Sequence, residues 1–235
     1  MLLMTSLISD ILFGFTGLIS IINPIGIAFV FYDRTSALTD QTRRLVARRV
    51  AVNAFFVLLA AFFVGAPMLH FLGISIEALR IGGGLAVAVA GWQMLNAPDA
   101  PPLGAAGPDT SAKRLDADLA SAKAFFPLTV PLTTGPGSMA TAIALTANRG
   151  YDKLSTFLLS ATASVVISVL AMIVIYLVYS RAARLAHYLG VGGTRVALRV
   201  SSFLLLCIGV QIILTGIEGF LAPIMQAHGA ALPGA

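Results

Sequence analysis

Ile21-Ile22-Asn23-Pro24-Ile25-Gly26-Ile27-Ala28 sets a turn-like Asn-Pro-Ile-Gly inside an apolar run. A second interruption, Pro131-Leu132-Thr133-Thr134-Gly135-Pro136-Gly137-Ser138, lies inside another apolar run in the other half of the chain. A helix broken in hydrocarbon leaves backbone N–H and C=O groups without partners, each at a cost on the order of several kcal/mol. Such breaks persist only where protein or a watery cavity covers them. Two matched breaks therefore point to a transporter substrate site.

The surrounding composition supports a membrane setting. Of 235 residues, 58% are hydrophobic and 11% charged, with a mean hydropathy of +0.92. A soluble domain carries about 25% charged residues, so this chain cannot cover a soluble surface. The net charge of +5 does not call for nucleic acid as a partner. Basic loops facing an anionic cytoplasmic leaflet account for it. Cys207 is the single cysteine, which leaves no intramolecular disulfide and no cysteine metal site; it reads as a small core residue. No Lys or Arg precedes the first apolar run, so a signal-peptide n-region is missing and segment one is expected to remain as a membrane helix.

Six stretches are long enough to span a bilayer core, which needs about 20 apolar residues. They cover residues 7–32, 47–69, 75–96, 124–148, 154–179 and 197–223. Gly82-Gly83-Gly84 in the third suits a membrane helix whose neighbour approaches closely. The basic residues set the orientation. The loops after segments one, three and five hold Arg34, Arg43, Arg44, Arg48 and Arg49, then Lys113, Arg114 and Lys123, then Arg181, Arg184, Arg195 and Arg199. The other side holds only Arg80, Arg149 and Lys153. By the positive-inside rule both termini face away from the cytoplasm.

The halves repeat. Phe71-Leu72-Gly73-Ile74 and Gly91-Trp92-Gln93 match Tyr188-Leu189-Gly190-Val191 and Gly209-Val210-Gln211, and Pro24 and Gly26 match Pro136 and Gly137. Three spans per half is an odd number, so the second copy enters from the opposite side. The expected fold is an all-α membrane protein of six transmembrane helices in two inverted three-helix repeats, 1–96 and 121–235. Helices one and four are broken mid-membrane. A Pro-, Gly- and Ala-rich cytoplasmic linker, 97–120, joins the repeats.

These residues resemble the MarC family of membrane proteins, also classed as the neutral amino acid transporter family. The blocks that carry the resemblance are Ile22-Asn23-Pro24-Ile25-Gly26, the Arg43-Arg44 to Arg48-Arg49 run, Gly73-Ile74-Ser75 with Arg80-Ile81-Gly82-Gly83, Pro131-Leu132 with Gly135-Pro136-Gly137, and Val210-Gln211 with Gly216-Ile217. They span nearly the whole chain in the family's order. The resemblance implies a six-helix protein of the bacterial inner membrane and, for some members, transport of small neutral amino acids such as alanine and glycine. Thr133-Thr134 depart from the small or apolar residues of many relatives.

A free amino acid needs donors for its carboxylate and acceptors for its ammonium. Half-helices starting near Ile25-Gly26 and Ser138-Met139 offer unpaired N–H groups and a positive dipole end. Pro24 suits a first helical turn, and Gly26, Gly135 and Gly137 let a ligand approach the backbone. Carbonyls near Ile22 and Thr133 are acceptors for an ammonium or a cation. Asn23 has two readings, a substrate contact or a cap for the second half-helix. Thr133, Thr134 and Ser138 are further candidates, with bonding to nearby backbone as the alternative. Gln93 and Gln211 are secondary candidates whose structural role would be bonding a neighbouring helix. A site without fixed charge suits a zwitterion.

The reading is a secondary transporter of alanine-, glycine- or serine-like amino acids working by alternating access, with the substrate at the paired breaks. The alternative is a passive channel, or an exporter of another small metabolite or drug. Enzyme signatures are missing: no His-Glu-x-x-His, no paired intramembrane aspartates and no Walker motif occur. No cofactor or metal is called for. Coupling to sodium or protons is compatible with the site, as is assembly into a homo-oligomer. The partners are the amino acid and the lipid bilayer.

Overall fold

The computed structural model describes residues 2–36, 38–96, 124–147 and 154–230. These form helices α1 (Leu2–Ile22), α2 (Pro24–Arg34), α3 (Asp40–Leu72), α4 (Ile76–Leu95), α5 (Ala124–Thr133), α6 (Pro136–Ala147), α7 (Leu154–Tyr179) and α8 (Ala182–Ala230). The expected linker 97–120 lies outside the described residues. Among the described residues, five helical stretches are long and apolar enough to cross a membrane: Leu7–Arg34, Asp40–Leu72, Ile76–Leu95, Thr156–Tyr179 and Gly192–Pro223. The protein is therefore an all-helical, multi-pass membrane protein.

Two helices outrun their apolar cores. α3 begins seven residues before the expected span. Thr39 caps it, with its hydroxyl accepting the Thr42 N–H at 3.3 Å, so the arginine run is helical. α3 ends where Gly73 turns to a φ of 67° and the Ile74 N–H reaches back to the Leu69 carbonyl at 2.9 Å, a glycine-terminated cap. α8 is interrupted at Gly190, with φ 66° and ψ −178°, a conformation open in practice to glycine alone.

The expected fourth span is divided. α5 is wound wide, with the Thr134 N–H donating to the Thr129 carbonyl five residues back at 2.8 Å. Its cause is local. Phe126 and Val130 each precede a proline and are extended, at φ −125°, ψ 124° and φ −115°, ψ 124°. A proline ring clashes with a helical residue before it and removes one N–H donor. Threonine hydroxyls fill the gaps: Thr129 donates to the Ala124 carbonyl at 2.6 Å and Thr133 to the Leu128 carbonyl at 2.7 Å. The tandem Pro-Leu-Thr at 127–129 and 131–133 encodes this pattern.

Small residues set the close packing. α4 lies against α8, whose buried positions Ser202, Leu205, Gly209, Ile212 and Gly216 recur at alternating three- and four-residue steps. A Cβ on Gly209 would collide with the Ala88 nitrogen, and one on Gly91 would sit 2.5 Å from the Leu206 nitrogen. The backbones therefore touch, which is how membrane helices gain contact where lipid provides little hydrophobic drive. The three consecutive glycines divide their roles. A Cβ on Gly83 would meet the Pro136 carbonyl oxygen at 3.0 Å and one on Gly84 the Gly209 oxygen at 2.7 Å, while Gly82 faces open space. Cys207 is exposed, which corrects its expected core position: it falls outside the stripe that faces α4. Between α3 and α7, buried Ala47, Ala51 and Ala54 on one helix meet a helix with buried Ser160, Ser164 and Ser168. The Ser164 and Ser168 hydroxyls bond the carbonyls one turn back at 2.9 and 2.8 Å.

Arg43 is more than a loop charge. It is buried, and its guanidinium donates to the carbonyls of Thr35 (3.1 Å) and Leu38 (3.0 Å), pairs with Asp40 and lies 5.0 Å over the Tyr32 ring. It thereby ties the start of α3 to the carbonyls of the connection that follows α2. Arg43→Gln is expected to lower stability by about 2 kcal/mol through these orphaned acceptors, read as a lower melting temperature of the purified protein in detergent. Arg49→Gln, at an exposed position on the same helix, is expected to change little.

Candidate functional site at the helix breaks

At the first break, Asn23 adopts φ 45° and ψ 58° and is the sole non-glycine residue with positive φ among those described. Asparagine tolerates this left-handed conformation better than most residues. The turn lets the Asn23 side-chain oxygen accept the Gly26 N–H at 3.3 Å, while Pro24 needs no acceptor. Gly26 leaves room for the cap: a Cβ there would lie 2.5 Å from the Asn23 side-chain nitrogen and displace that side chain. Of the two readings of Asn23, this geometry is the cap. Beyond it α2 is buried from Gly26 to Phe31.

The second break is built differently. Gly135 stands at the capping position of α6 and has no side chain to offer. The first helical bond of α6 runs from the Met139 N–H to the Gly135 carbonyl at 3.1 Å. The amides of Gly137 and Ser138 therefore belong to the first turn, where a helix supplies no internal acceptor. The Ser138 hydroxyl donates to the Gly135 carbonyl at 2.9 Å, and Thr134 to the Thr129 carbonyl at 3.3 Å. Thr133 and Tyr179 share a hydroxyl–hydroxyl bond of 3.0 Å. Since Thr133 already donates to Leu128, Tyr179 donates in that pair. The hydroxyls at this break thus make the local bonds that formed their alternative reading, occupying the carbonyls of Leu128, Thr129 and Gly135.

A cavity of about 50 Å³ adjoins this break, space for a few water molecules. Thr133, Gly135, Pro136 and Ser138 line it from the break, Ile21 from the end of α1, and Ala86 and Ala90 from α4. The two breaks are neighbours, since a Cβ on Gly137 would lie 3.6 Å from Ile21. Thr133, Gly135 and Ser138 thus share one cavity, with Gly137 in reach of Ile21 on its wall, while Asn23, Pro24 and Gly26 do not line it. Thr134 is buried beneath. Gln93 and Gln211 are exposed, off the stripe by which α4 and α8 meet, and neither lines the cavity.

Two contributors stand outside the residues singled out from the sequence, Tyr179 and Thr129. Tyr179 is fully buried, bonded to Thr133 and stacked on Phe31 with ring centroids 4.8 Å apart. At the end of an apolar span it resembles an interfacial tyrosine of the aromatic belt, so nothing local marks it. Thr129 carries a signal in the tandem Pro-Leu-Thr.

Comparison with known proteins agrees with this architecture. The model of the MarC family integral membrane proteins matches residues 8–221. A UPF0056 membrane protein of Archaeoglobus fulgidus is 28% identical over 205 residues, covering 87% of this chain and 90% of its own length. The UPF0056 inner membrane protein MarC of Escherichia coli is 29% identical over 215 residues, covering 91% and 96%. That of Citrobacter koseri is 28% identical over 220 residues, with the same coverage. No solved structure matches. With the family's model running through both breaks and every described span, the chain belongs to the MarC family of integral membrane proteins.

Proposed function

We propose that this protein is a secondary transporter of small neutral amino acids, of the alanine, glycine and serine type, working by alternating access between two inverted three-helix repeats. The observation that carries this reading is the uncapped start of α6 at the wall of the cavity. First-turn amides and the helix dipole suit a carboxylate. Among the described residues no charged side chain lines the cavity, which favours a zwitterion over a cationic or anionic substrate. Its small volume and the Ala86 and Ala90 wall favour a short side chain.

Pseudo-symmetric packing supports the inverted repeat. A shift of 118 residues takes Gly91 to Gly209 and Ala88 to Leu206. The close approach of Gly209 to the Ala88 nitrogen then maps onto that of Gly91 to the Leu206 nitrogen. Gly84 against Gly209 maps likewise onto Ser202 against Gly91. The two positive-φ glycines, Gly73 and Gly190, are the matched Leu-Gly positions of the repeat. α5 and α6 together then make the divided fourth span, which brings the spans to six as the counterpart of α1 and α2, and both termini face away from the cytoplasm. Phe31 and Tyr179, one from each half of the chain, are stacked, and Tyr179 bonds Thr133 of the cavity wall.

Counterflow in proteoliposomes tests the proposal. Vesicles preloaded with unlabelled alanine are expected to accumulate labelled alanine transiently, with inhibition by glycine and serine and none by lysine. Folded protein that gives no transient accumulation would overturn the carrier reading.

A further inference from the structure

Away from the breaks, a cavity of about 390 Å³ opens beside the start of α3, lined by Asp40, Gln41, Arg44, Leu45, Arg48 and Tyr176 of α7. Arg44 and Arg48 lie one turn apart on one helix face, and both are exposed. Asp40, the carboxylate of this cavity, is engaged by the buried Arg43. Neither Arg44 nor Arg48 forms an ion pair among the described residues. Two guanidinium forks, an amide and a phenol thus converge with a net positive charge. Guanidinium groups match the paired oxygens of a phosphate.

Below the arginines the same face turns apolar. Leu45, Val52 and Phe56 continue it at seven- and four-residue steps and are 56%, 37% and 62% exposed. A polar head above an apolar lane, at the point where α3 enters the membrane, is the shape of a phospholipid rather than of a free anion. We propose that Arg44 and Arg48, with Gln41 and Tyr176, form a site for the phosphate of an anionic phospholipid whose acyl chain follows Leu45, Val52 and Phe56. Basic pockets between membrane helices on the positive side are suited to such headgroups. The site is independent of the transport reading.

Native mass spectrometry of the full chain in detergent, with added dioleoyl-phosphatidylglycerol or dioleoyl-phosphatidylcholine, tests this. The wild-type protein is expected to retain phosphatidylglycerol about tenfold better than phosphatidylcholine. The Arg44→Gln/Arg48→Gln protein should lose that preference, and Arg34→Gln/Arg49→Gln, with the same charge change, should keep it. Melting temperatures near wild type for both double variants establish that they are folded. Unchanged phosphatidylglycerol retention by Arg44→Gln/Arg48→Gln would overturn the site, as would equal loss in both double variants. Displacement of the lipid by an equal concentration of inorganic phosphate would overturn the lipid in favour of a free anion.

Discussion

Gly209→Val is expected to destabilise the protein by about 3 kcal/mol, at the upper end of overpacking effects. For a chain of this length that corresponds to a fall of roughly 10 °C in melting temperature. The reason is what surrounds the position. A Cβ at Gly209 runs into the Ala88 nitrogen and lies 2.7 Å from the Ala88 Cα and the Gly84 oxygen. All of these belong to backbone, which cannot rotate away as a side-chain end can. A β-branched residue adds a second clash, so α4 and α8 must separate along the seam that joins the two halves. Gly82→Ala is the matched control on α4. Nothing lies within 4 Å of a Cβ there, and alanine favours a helix over glycine by about 1 kcal/mol, so this variant is expected to melt at or slightly above the wild-type temperature. A wild-type melting temperature for Gly209→Val would show that the backbones do not touch.

Ala90→Leu is expected to leave the protein folded and to reduce alanine counterflow at least about tenfold, which corresponds to about 1.4 kcal/mol of lost binding. Ala90 is half-buried on the cavity wall. The added isopropyl group points at the space that the proposed substrate occupies, beside Ser138 and Thr133, and disturbs neither break. The partner measurement is the melting temperature, which is expected to stay near wild type because the group fills a void. Full counterflow by a folded Ala90→Leu protein would place the substrate elsewhere. Reduced counterflow with a collapsed melting temperature would reflect lost structure, and Ala86→Leu on the same wall would then be the decisive variant.

The contrast between the two breaks sharpens this expectation. Both interruptions were legible in the sequence because proline and glycine act locally: a missing N–H, a fixed φ and a clash with the preceding residue are properties of the residues themselves. What each break does with its polar groups was not legible. Asn23 and Gly135 occupy similar places, yet the Asn23 oxygen takes the Gly26 amide, while glycine leaves the first turn of α6 uncapped. The threonines likewise read as ligands or as backbone partners until α7 brought Tyr179 to Thr133, 46 residues away in the chain. Arg43 looked like one more positive-inside charge until the fold wrapped the carbonyls of Thr35 and Leu38 around it.

The sequence by itself determined that this is a helical membrane protein, where its apolar stretches lie and where two of its segments break. Hydropathy, charge and proline stereochemistry are additive along the chain and need no partner to act. Only the tertiary structure decided which glycines carry the α4–α8 contact, that Gln93, Gln211 and Cys207 turn outward, and that the cavity belongs to the second break. Those outcomes depend on which helix face meets which, and a side chain's burial and hydrogen-bond partner are fixed by neighbours distant in sequence.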